Sequence, residues 1–297
     1  MKKNILIAEL CQNHNGDLNL MLEMVHAAKE AGCSVAKIQD IKSDELNFRA
    51  RFEKKNGKSL FRPYEIEKKR LKLLDLPDTF LQMFVEECRK VKIKSMVTPF
   101  TFNSIERIKD INFDLIKIAS YDCSSFEFLK KITKINKQLI VSTGATTQQE
   151  IVKASKILKN SNFSFLHCVT IYPTPLSLCN FKKIRILKKF TKTVGWSDHS
   201  RFDENGHIPS LIALTEGADI IERHFTILDK SKTKDGVVSI NYEEAKKLVK
   251  YMKKNKSELE SMLLQTLPNW RDYIGNGSFD LSKQELLNRD YYKGRFK

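Results

Sequence analysis

Short apolar segments rich in β-branched residues alternate with longer segments of helical period along most of the chain. Eight of the short segments are predicted to be strands: Ile5 to Glu9, Val35 to Gln39, Ser95 to Pro99, Leu115 to Ser120, Leu139 to Thr143, Phe163 to Val169, Thr193 to Ser197 and Ala218 to His224. Elsewhere apolar residues recur every three or four positions, which predicts helices over Leu18 to Ala31, Thr79 to Val91, Ser104 to Lys109, Ser125 to Ile135, Gln148 to Leu158, Ser210 to Glu216 and Tyr242 to Leu263. Strands that alternate with helices pair in parallel. Eight such units within about 250 residues indicate an α/β chain folded as a closed (β/α)8 TIM barrel.

An open doubly wound sheet is the competing architecture. It is disfavoured because the first strand lacks a G-x-G-x-x-G turn and the sequence contains no P-loop. We expect the barrel to occupy residues 1–263, and residues 264–297 to form a C-terminal tail that is not a separate domain. The polar and basic segment Ile41 to Leu76 interrupts the alternation, and we expect it to form a loop that covers the barrel mouth.

The composition is that of a globular chain, with 297 residues of which 41% are hydrophobic and 30% charged. No apolar run approaches the roughly 18 residues that a membrane helix needs, and the apolar segment after Met1-Lys2-Lys3 is too short for a secretion signal. We therefore expect a cytoplasmic protein without a membrane partner.

The six cysteines are scattered without a C-x-x-C pair, which favours reduced thiols over disulfides or a structural zinc site.

The chain has 52 basic and 36 acidic residues, a net charge of +16. Such an excess attracts nucleic acids, anionic membranes or phosphorylated small molecules. Much of the excess is lysine, as in Lys68-Lys69-Arg70 and Lys253-Lys254, which at helical spacing is typical of solvated outer faces. Because no nucleic-acid-binding signature accompanies these lysines, we expect small molecules rather than nucleic acid as partners.

Reactive side chains collect at the C-terminal ends of the predicted strands, where the loops of such a barrel form the active-site mouth. They include Glu9, Lys37, Gln39, Thr98, Lys117, Ser120, Asp122, Ser142, Tyr172, Ser197, His199, Glu222 and His224. A lysine inside a buried apolar strand is costly unless its ammonium group meets an anion. Lys37 and Lys117 are such lysines, and together with the nearby hydroxyl groups they favour a phosphate site. Salt bridges of these lysines with Glu9 or Asp122 are the alternative.

His199 and His224 end neighbouring strands, so we expect their imidazoles to converge about 5 Å apart. Two histidines leave coordination positions open for water and substrate, which is typical of a catalytic divalent metal. The flanking carboxylates of Asp198 and Glu222 are suited to orient the imidazoles. The alternative is a pair of core histidines bonded to backbone carbonyl groups.

Eight motifs at the predicted strand ends follow one another along residues 4–263. They are Ile7-Ala8-Glu9 with Asn13-His14-Asn15-Gly16-Asp17, Val35-Ala36-Lys37-Ile38-Gln39, Thr98-Pro99-Phe100, Ile116-Lys117-Ile118-Ala119-Ser120, Ser142-Thr143-Gly144, His167-Cys168 through Tyr172-Pro173-Thr174-Pro175, Gly195-Trp196-Ser197-Asp198-His199 and Glu222-Arg223-His224-Phe225-Thr226. In this combination and order they resemble the N-acetylneuraminate (sialic acid) synthase family, which includes the legionaminate and pseudaminate synthases. One such motif alone would be weak evidence, whereas the full set is specific.

The resemblance implies condensation of phosphoenolpyruvate with the open-chain aldehyde of an N-acetylated hexosamine similar to N-acetylmannosamine, with release of phosphate. The product would be a nine-carbon 2-keto-3-deoxy sugar acid. The resemblance also implies a divalent metal held by His199 and His224, typically Mn²⁺, with Mg²⁺ or Co²⁺ as alternatives.

The resemblance assigns roles to the remaining residues. The catalytic positions are Glu9, Asp122, Lys37 and Lys117. The two acidic groups lie beside the reacting carbons and are our acid and base candidates. The substrate-binding positions are Gln39, Ser120, Ser142, Thr170, Tyr172, Ser197 and Asp235. Of these, Gln39, Tyr172 and Asp235 match positions that contact the sugar, whereas the serines match positions that hold phosphoenolpyruvate together with the lysines.

The sequence departs from the family pattern at three site positions. Cys11 stands where the family usually has Gly, Thr170 where it usually has Asn, and Asp122 where it usually has Glu. Relatives also continue into a small antifreeze-like domain that reaches across a dimer and supplies an arginine to the sugar, and we expect this domain to be absent. The basic tail or the Ile41 to Leu76 segment is the alternative source of that charge, and a homodimer is left open.

Two other functions remain open. One keeps the barrel and phosphoenolpyruvate but uses a phosphorylated aldose as the acceptor. The other is a catalytically silent barrel or a basic binding protein. The full set of polar groups at the strand ends is evidence against the second, because buried lysines and histidines are costly without a function.

Overall fold

Eight parallel strands close into a barrel in the order of the chain. The computed structural model describes residues 4–55 and 57–297, so residues 1–3, considered above for a secretion signal, and residue 56 of the predicted mouth loop lie outside the described residues. The strands are β1 Ile5–Glu9, β2 Val35–Asp40, β3 Lys94–Pro99, β4 Leu115–Ile118, β5 Gln138–Ser142, β6 Phe163–Cys168, β7 Val194–Asp198 and β8 Ile220–His224. Strand β1 pairs with both β2 and β8, which closes the sheet and confirms the predicted TIM barrel.

Helices surround the barrel between and after the strands. They are α1 Leu18–Glu30, α2 Tyr64–Lys72, α3 Asp78–Lys90, α4 Phe102–Lys109, α5 Phe126–Ile132, α6 Gln148–Leu158, α7 Lys182–Leu187, α8 Phe202–Asn205, α9 Ile208–Thr215, α10 Tyr242–Tyr251, α11 Lys256–Thr266 and α12 Lys283–Tyr292. The side chain of Asp17 caps α1 by accepting the backbone N–H groups of Asn19 and Leu20. In the described part of the chain, no helix is both long enough and apolar enough to cross a bilayer.

The helix predictions were wrong at the C-terminal end. The segment predicted as one helix, Tyr242 to Leu263, contains two, because Asn255 caps a new helix and exchanges hydrogen bonds with Glu258 in a capping box. The predicted domain boundary at residue 263 falls inside that second helix. Four helices, α2, α7, α8 and α12, were not predicted, since they are short or mostly polar and their periodicity is weak.

The barrel interior is built in two layers by the alternation of side chains along each strand. The lower layer is an apolar plug of Ile7, Val35, Met96, Leu115, Ile140, Leu166 and Ile220. Two residues further along the same strands, the inward positions change to Glu9, Lys37, Thr98, Lys117, Ser142, Cys168 and Glu222. Residues on the outer face of the strands, such as Val97 and Trp196, pack in the main core beneath the helices. Six of these seven strands therefore place a hydroxyl or charged side chain in the lining of the barrel mouth, as predicted, whereas β6 places the thiol of Cys168 there and β7 contributes Ser197.

The C-terminal residues fold back over that mouth. Helix α12 reaches the loops after β5 and β6, where Arg289 donates to the carbonyl oxygen of Ala145 at 2.8 Å and Asn288 donates to that of Thr170. Beyond the helix, Phe296 pairs with Leu46 in an antiparallel bridge. The tail is thereby attached to the Ile41 to Leu76 segment, and both border the mouth.

Candidate active site

A cavity of about 970 Å³ opens at the C-terminal ends of the strands. All thirteen residues to which the sequence analysis assigned catalytic, substrate-binding or metal-binding roles line it. The strand-end position, the polar inward layer and the cavity therefore coincide, as expected for an active site on this fold.

Four buried charged groups form the floor of the cavity. Lys37 forms ion pairs with Glu9 and, at 3.1 Å, with Glu222. Glu222 also pairs with Lys117 at 2.9 Å and accepts a hydrogen bond from Ser197 at 2.8 Å. All four charged side chains are at most 5% exposed. The lysines were expected to bind an anion, with salt bridges to Glu9 or Asp122 as the alternative. In this structure they form salt bridges with Glu9, as that alternative stated, and with Glu222 instead of Asp122.

The two lysines of the floor differ in how strongly their surroundings stabilise the charged form. Burial alone lowers the pKa of Lys37, but the negative charges of Glu222 and Glu9 outweigh it and raise this pKa above its ordinary value. Burial, aided by repulsion from Lys37, lowers the pKa of Lys117 despite its pair with Glu222. Burial raises the pKa of Glu222, but the two ammonium groups hold it well below its usual range. The charged form of Lys117 is therefore less stabilised than that of Lys37. An incoming anion would stabilise the charge of Lys117 more than that of Lys37.

Three buried hydroxyl groups lie beside this floor. Thr98, Ser142 and Thr170 have buried side-chain oxygens without a hydrogen-bond partner in the described part of the chain. Gly144 keeps the space next to them open, since an added Cβ there would lie 2.6 Å from Thr170 Cγ2 and 2.8 Å from Ser120 Oγ. Buried hydroxyl groups without partners are unusual, and together with the lysines they form a site suited to phosphate or carboxylate oxygens.

The two predicted metal-binding histidines do converge. The rings of His199 and His224 are 5.3 Å apart between centroids. The Nδ1 of His199 lies 3.2 Å from the carbonyl oxygen of Val169, and the Tyr172 hydroxyl lies 2.8 Å from its Nε2. Burial, with repulsion from His224, lowers the pKa of His199 to about 3, so the ring is neutral at pH 7 as a metal ligand must be.

The donor set around His224 fits a divalent metal. Ligand atoms of Cys11, His224 and Asp235 all lie within 4.8 Å of one another. Sulfur, nitrogen and oxygen donors of this kind suit first-row transition metals. His199 is not a member of this group of three, because its Nε2 faces the Tyr172 hydroxyl instead.

The carboxylates expected to orient these imidazoles do not do so. Asp198 accepts hydrogen bonds from Ser200 and Ser210 and pairs with Arg223 at 2.5 Å on the outer side of the barrel. Glu222 is occupied by the lysines of the floor. Successive side chains along a strand point to opposite faces, so Asp198 and the next residue, His199, are not expected to meet. The sequence pattern therefore already argued against Asp198 as the partner of His199.

Asp122 lies at the end of a 3-10 turn, Ser120–Asp122, that follows β4. Burial raises the pKa of its carboxyl group to about 7, although a hydrogen bond from Ser125 and the charge of Lys293 act in the opposite direction. A carboxyl group that titrates near neutral pH is suited to general acid–base catalysis.

Cations surround the outer end of the cavity. Arg70 and Arg295 donate to the same oxygen of Glu67, at 3.0 and 2.9 Å. Arg62 and Lys234 also line the cavity, and burial with the charges of Arg70 and Arg62 lowers the pKa of Lys234. We call Arg62, Arg70, Lys234 and Arg295 the basic rim. Both the tail and the Ile41 to Leu76 segment thus bring positive charge to the cavity.

Comparison with known proteins identifies the family. The sequence model of the NeuB family matches residues 24–262, more than half of the chain. The chain belongs to the NeuB family. It is 33% identical over 307 residues to the pseudaminic acid synthase of Campylobacter jejuni, with 99% of this chain and 82% of that protein covered. It is 30% identical over 250 residues to the N-acetylneuraminate-9-phosphate synthase of Drosophila melanogaster, with 82% of this chain and 65% of that protein covered.

A solved structure is also similar. The crystal structure of an N-acetylneuraminic acid (sialic acid) synthetase from Leptospira borgpetersenii in complex with citrate superposes with a TM-score of 0.74 at 27% identity, covering 98% of this chain and 92% of that one. The relatives named here are synthases, so membership of the NeuB family supports an enzyme of the synthase type.

Sequence reasoning did not place Thr98 and Glu222 of this NeuB-family chain in the anion site. Thr98 stood at a predicted strand end without a role, and Glu222 was expected to orient an imidazole. Both lie two residues after an apolar plug residue, Met96 and Ile220 respectively, so the alternation could have placed them. That Glu222 would meet both lysines depends on closure of the barrel, which no local pattern shows.

Proposed function

We propose that the protein condenses phosphoenolpyruvate with the open-chain aldehyde of an N-acylated hexosamine, releasing phosphate and forming a nine-carbon 2-keto-3-deoxy sugar acid. The observation that supports this most directly is the cavity floor, where two buried lysines adjoin three buried hydroxyl groups that have no hydrogen-bond partner among the described residues. A small, densely charged anion such as phosphoenolpyruvate satisfies both sets of groups. The NeuB family membership supports the same reaction class.

The anion would bind by exchange within the floor. Lys117 pairs with Glu222 in this structure, and a phosphate or carboxylate oxygen can take a share of its hydrogen bonds. Ser142 and Thr170 would donate to the same anion, and Lys37 would stay neutralised by Glu9. Ser120 and Ser197 lie beside this position and complete the polar lining.

The reaction needs two proton transfers, both at oxygen atoms. As phosphoenolpyruvate C3 attacks the aldehyde carbon, the aldehyde oxygen takes up a proton, and water adds at C2, where positive charge develops, and loses a proton. The C2–O bond to the phosphoryl group then breaks, which releases phosphate and leaves the C2 ketone. Glu9 and Asp122 are our candidates for acid and base, because both line the cavity and the carboxyl group of Asp122 has a pKa of about 7.

A divalent metal, most often Mn²⁺ with Mg²⁺ or Co²⁺ as alternatives, would be held by His199 and His224. When bound, such a metal polarises the acceptor's carbonyl oxygen as a Lewis acid. Gln39, Tyr172 and Asp235 lie around the histidines, where they would orient the hydroxyl groups of the sugar.

A second acceptor class is favoured by the basic rim. Arg70 and Arg295 donate to the carboxylate of Glu67, and Lys234 and Arg62 line the same cavity, so an acceptor bearing a phosphoryl group would gain charge-assisted hydrogen bonds that a neutral hexosamine would not. The relative in Drosophila melanogaster is named for a 9-phosphate product. Phosphorylated and neutral hexosamines therefore both belong in the test.

The test is phosphate release from phosphoenolpyruvate with Mn²⁺ and a panel of N-acylated hexosamines, each with and without a 6-phosphate. We expect release that requires one sugar and is lost in His199→Ala and in Lys117→Met. Lys130→Met, a change at a surface lysine, serves as the matched control and keeps full activity. No release with any sugar from folded protein supplied with metal would overturn the proposal in favour of a silent barrel.

A further inference from the structure

Cys11 is a buried residue that lines the cavity, two residues after the end of β1. Its φ of 46° is in the left-handed region, where glycine is favoured and a side chain is strained. Its backbone N–H donates to Glu9 at 2.8 Å, which fixes the turn against the cavity floor. The turn therefore holds the thiol of Cys11 inside the cavity, where the reaction chemistry proposed above takes place.

Three side chains from separate segments meet at this thiol. Cys11 follows β1, His224 ends β8, and Asp235 precedes the 3-10 turn Gly236–Val238. One ligand atom from each lies within 4.8 Å of the others. Metal–ligand bonds of roughly 2.0 to 2.3 Å allow two ligands of one ion to be at most about 4.6 Å apart. The three groups are thus close to the spacing of a shared ion before any side chain adjusts.

The surroundings of the group match those of a ligand set. Oδ2 of Asp235 is buried and has no hydrogen-bond partner among the described residues. Gln39 Nε2 lies 3.0 Å from Cys11 Sγ, with sulfur as the acceptor. A donor to sulfur of this kind is the outer partner that metal-bound thiolates commonly have.

The backbone that presents Asp235 is fixed as well. Asn13 Nδ2 donates to the carbonyl oxygen of Phe225 at 2.9 Å and to Ser239 Oγ at 3.0 Å, so it ties the loop after β1 to the loop after β8. A Cβ at Gly236 would lie 1.8 Å from the carbonyl oxygen of Lys230, so no larger residue fits beside Asp235. These contacts fix the two loops that carry the sulfur and the carboxylate.

We propose that the divalent metal assigned above to His199 and His224 is also bound by Cys11 and Asp235, whose ligand atoms lie within 4.8 Å of that of His224. That this ion is the one used in catalysis rests on the proposed function. The assignment of its ligands rests only on the geometry of the site. On binding, the sulfur would release its proton to solvent and bond as the thiolate. One carboxylate oxygen of Asp235 would remain for the sugar.

A thiolate ligand changes how strongly the site prefers one metal over another. Most sites with nitrogen, oxygen or sulfur ligands bind Co²⁺ more tightly than Mn²⁺, and a soft thiolate widens that difference, whereas carboxylate and water ligands suit Mn²⁺ and Mg²⁺. We therefore expect the preference for Co²⁺ over Mn²⁺ to fall when the thiolate is removed. Cys11→Gly, which the left-handed backbone accepts, should weaken Co²⁺ binding by at least about tenfold, the loss that even an outer-shell partner can cause, and weaken Mn²⁺ binding less.

Absorption spectroscopy of the metal-free protein titrated with Co²⁺ tests the proposal without reference to activity. A thiolate ligand gives a sulfur-to-cobalt charge-transfer band in the near ultraviolet, which ligand sets without sulfur lack. We expect this band in the unaltered protein and its loss in both Cys11→Gly and the conservative Cys11→Ser. Cys168→Ser is the matched control, because Cys168 Sγ lies in the same cavity, 3.7 Å from His199 Nδ1.

Each outcome decides between the alternatives. A band that survives in Cys11→Gly but disappears in Cys168→Ser overturns the proposal, as does Co²⁺ binding without a band or no binding at all. If phosphate is released with a hexosamine but no band forms, the proposed function stands and the ligand assignment fails. If the band forms and depends on Cys11 but no sugar supports phosphate release, the ligand assignment stands and the proposed function fails.

Discussion

Replacing Glu222 with glutamine tests the buried charge network most directly. The change keeps the shape of the side chain and its hydrogen bond from Ser197, but it leaves Lys37 and Lys117 facing the single carboxylate of Glu9. Breaking a buried ion pair by removing one partner typically costs about 3–5 kcal/mol. Because Glu222 serves two lysines and is at most 5% exposed, we expect a loss within that range.

Urea unfolding at pH 7 measures this loss as a lower midpoint at unchanged slope. Glu127→Gln, at an exposed carboxylate paired with Lys130, is the control and should leave the midpoint unchanged. Since the pKa of Glu222 is held below its usual value in the folded protein, its contribution is present above the unfolded carboxyl pKa and disappears as the pH falls through the folded one. The difference between the two proteins should therefore shrink in acid.

Phosphate provides the second half of this test. In Glu222→Gln, Lys117 loses its paired carboxylate and Lys37 keeps only Glu9, so an anion bound at the floor should stabilise the variant more than the unaltered protein. At a concentration of 100 times its dissociation constant, a ligand stabilises by about 2.7 kcal/mol. A loss below about 1 kcal/mol at pH 7, or equal stabilisation of both proteins by phosphate, would refute the view that the floor is an anion site held by Glu222.

Three further changes follow from the site. Gly144→Ala would insert a methyl group between Ser120 and Thr170, and we expect at least a tenfold rise in KM for phosphoenolpyruvate with the fold retained by circular dichroism. Asp122→Asn removes a carboxyl group whose pKa is raised to about 7. In thermal melts, the stability of the unaltered protein should therefore fall relative to that of the variant as the pH rises from about 4 to 7. In the variant, the limb of the pH–rate profile near pH 7 should disappear. Lys234→Met should raise KM for a 6-phosphorylated hexosamine about tenfold while leaving a neutral one unaffected; equal effects on both sugars would argue against the basic rim as a phosphate site.

The fold was largely predictable because its signal is periodic. A strand that is buried on both faces needs apolar residues at almost every position, so the exceptions, such as Lys37 and Lys117, stand out in the sequence. Neighbouring parallel strands end at one edge, which is why the spacing of His199 and His224 could be anticipated. These inferences use only local alternation and the order of strands.

The contacts that were not predicted depend on closure of the barrel or on polar segments. Glu222 meets Lys117 across 105 residues of sequence, and only the closed ring brings them together. Helix α12 has few apolar residues and is positioned by hydrogen bonds to loop carbonyl oxygens, which leave no pattern in the sequence. The group of Cys11 and Asp235 combines both cases, since it joins two loops at opposite ends of the chain.

The apolar plug beneath the floor has a kinetic consequence. Seven side chains close the barrel from below, so both substrates and both products must pass through the mouth between the tail and the Ile41 to Leu76 segment. In the proposed reaction phosphoenolpyruvate binds at the floor, so it has to enter before the sugar and cannot leave while the sugar is in place. Initial-rate measurements should therefore show a compulsory order, with phosphoenolpyruvate first, and isotope trapping should show that bound phosphoenolpyruvate is committed to product once the sugar concentration is high.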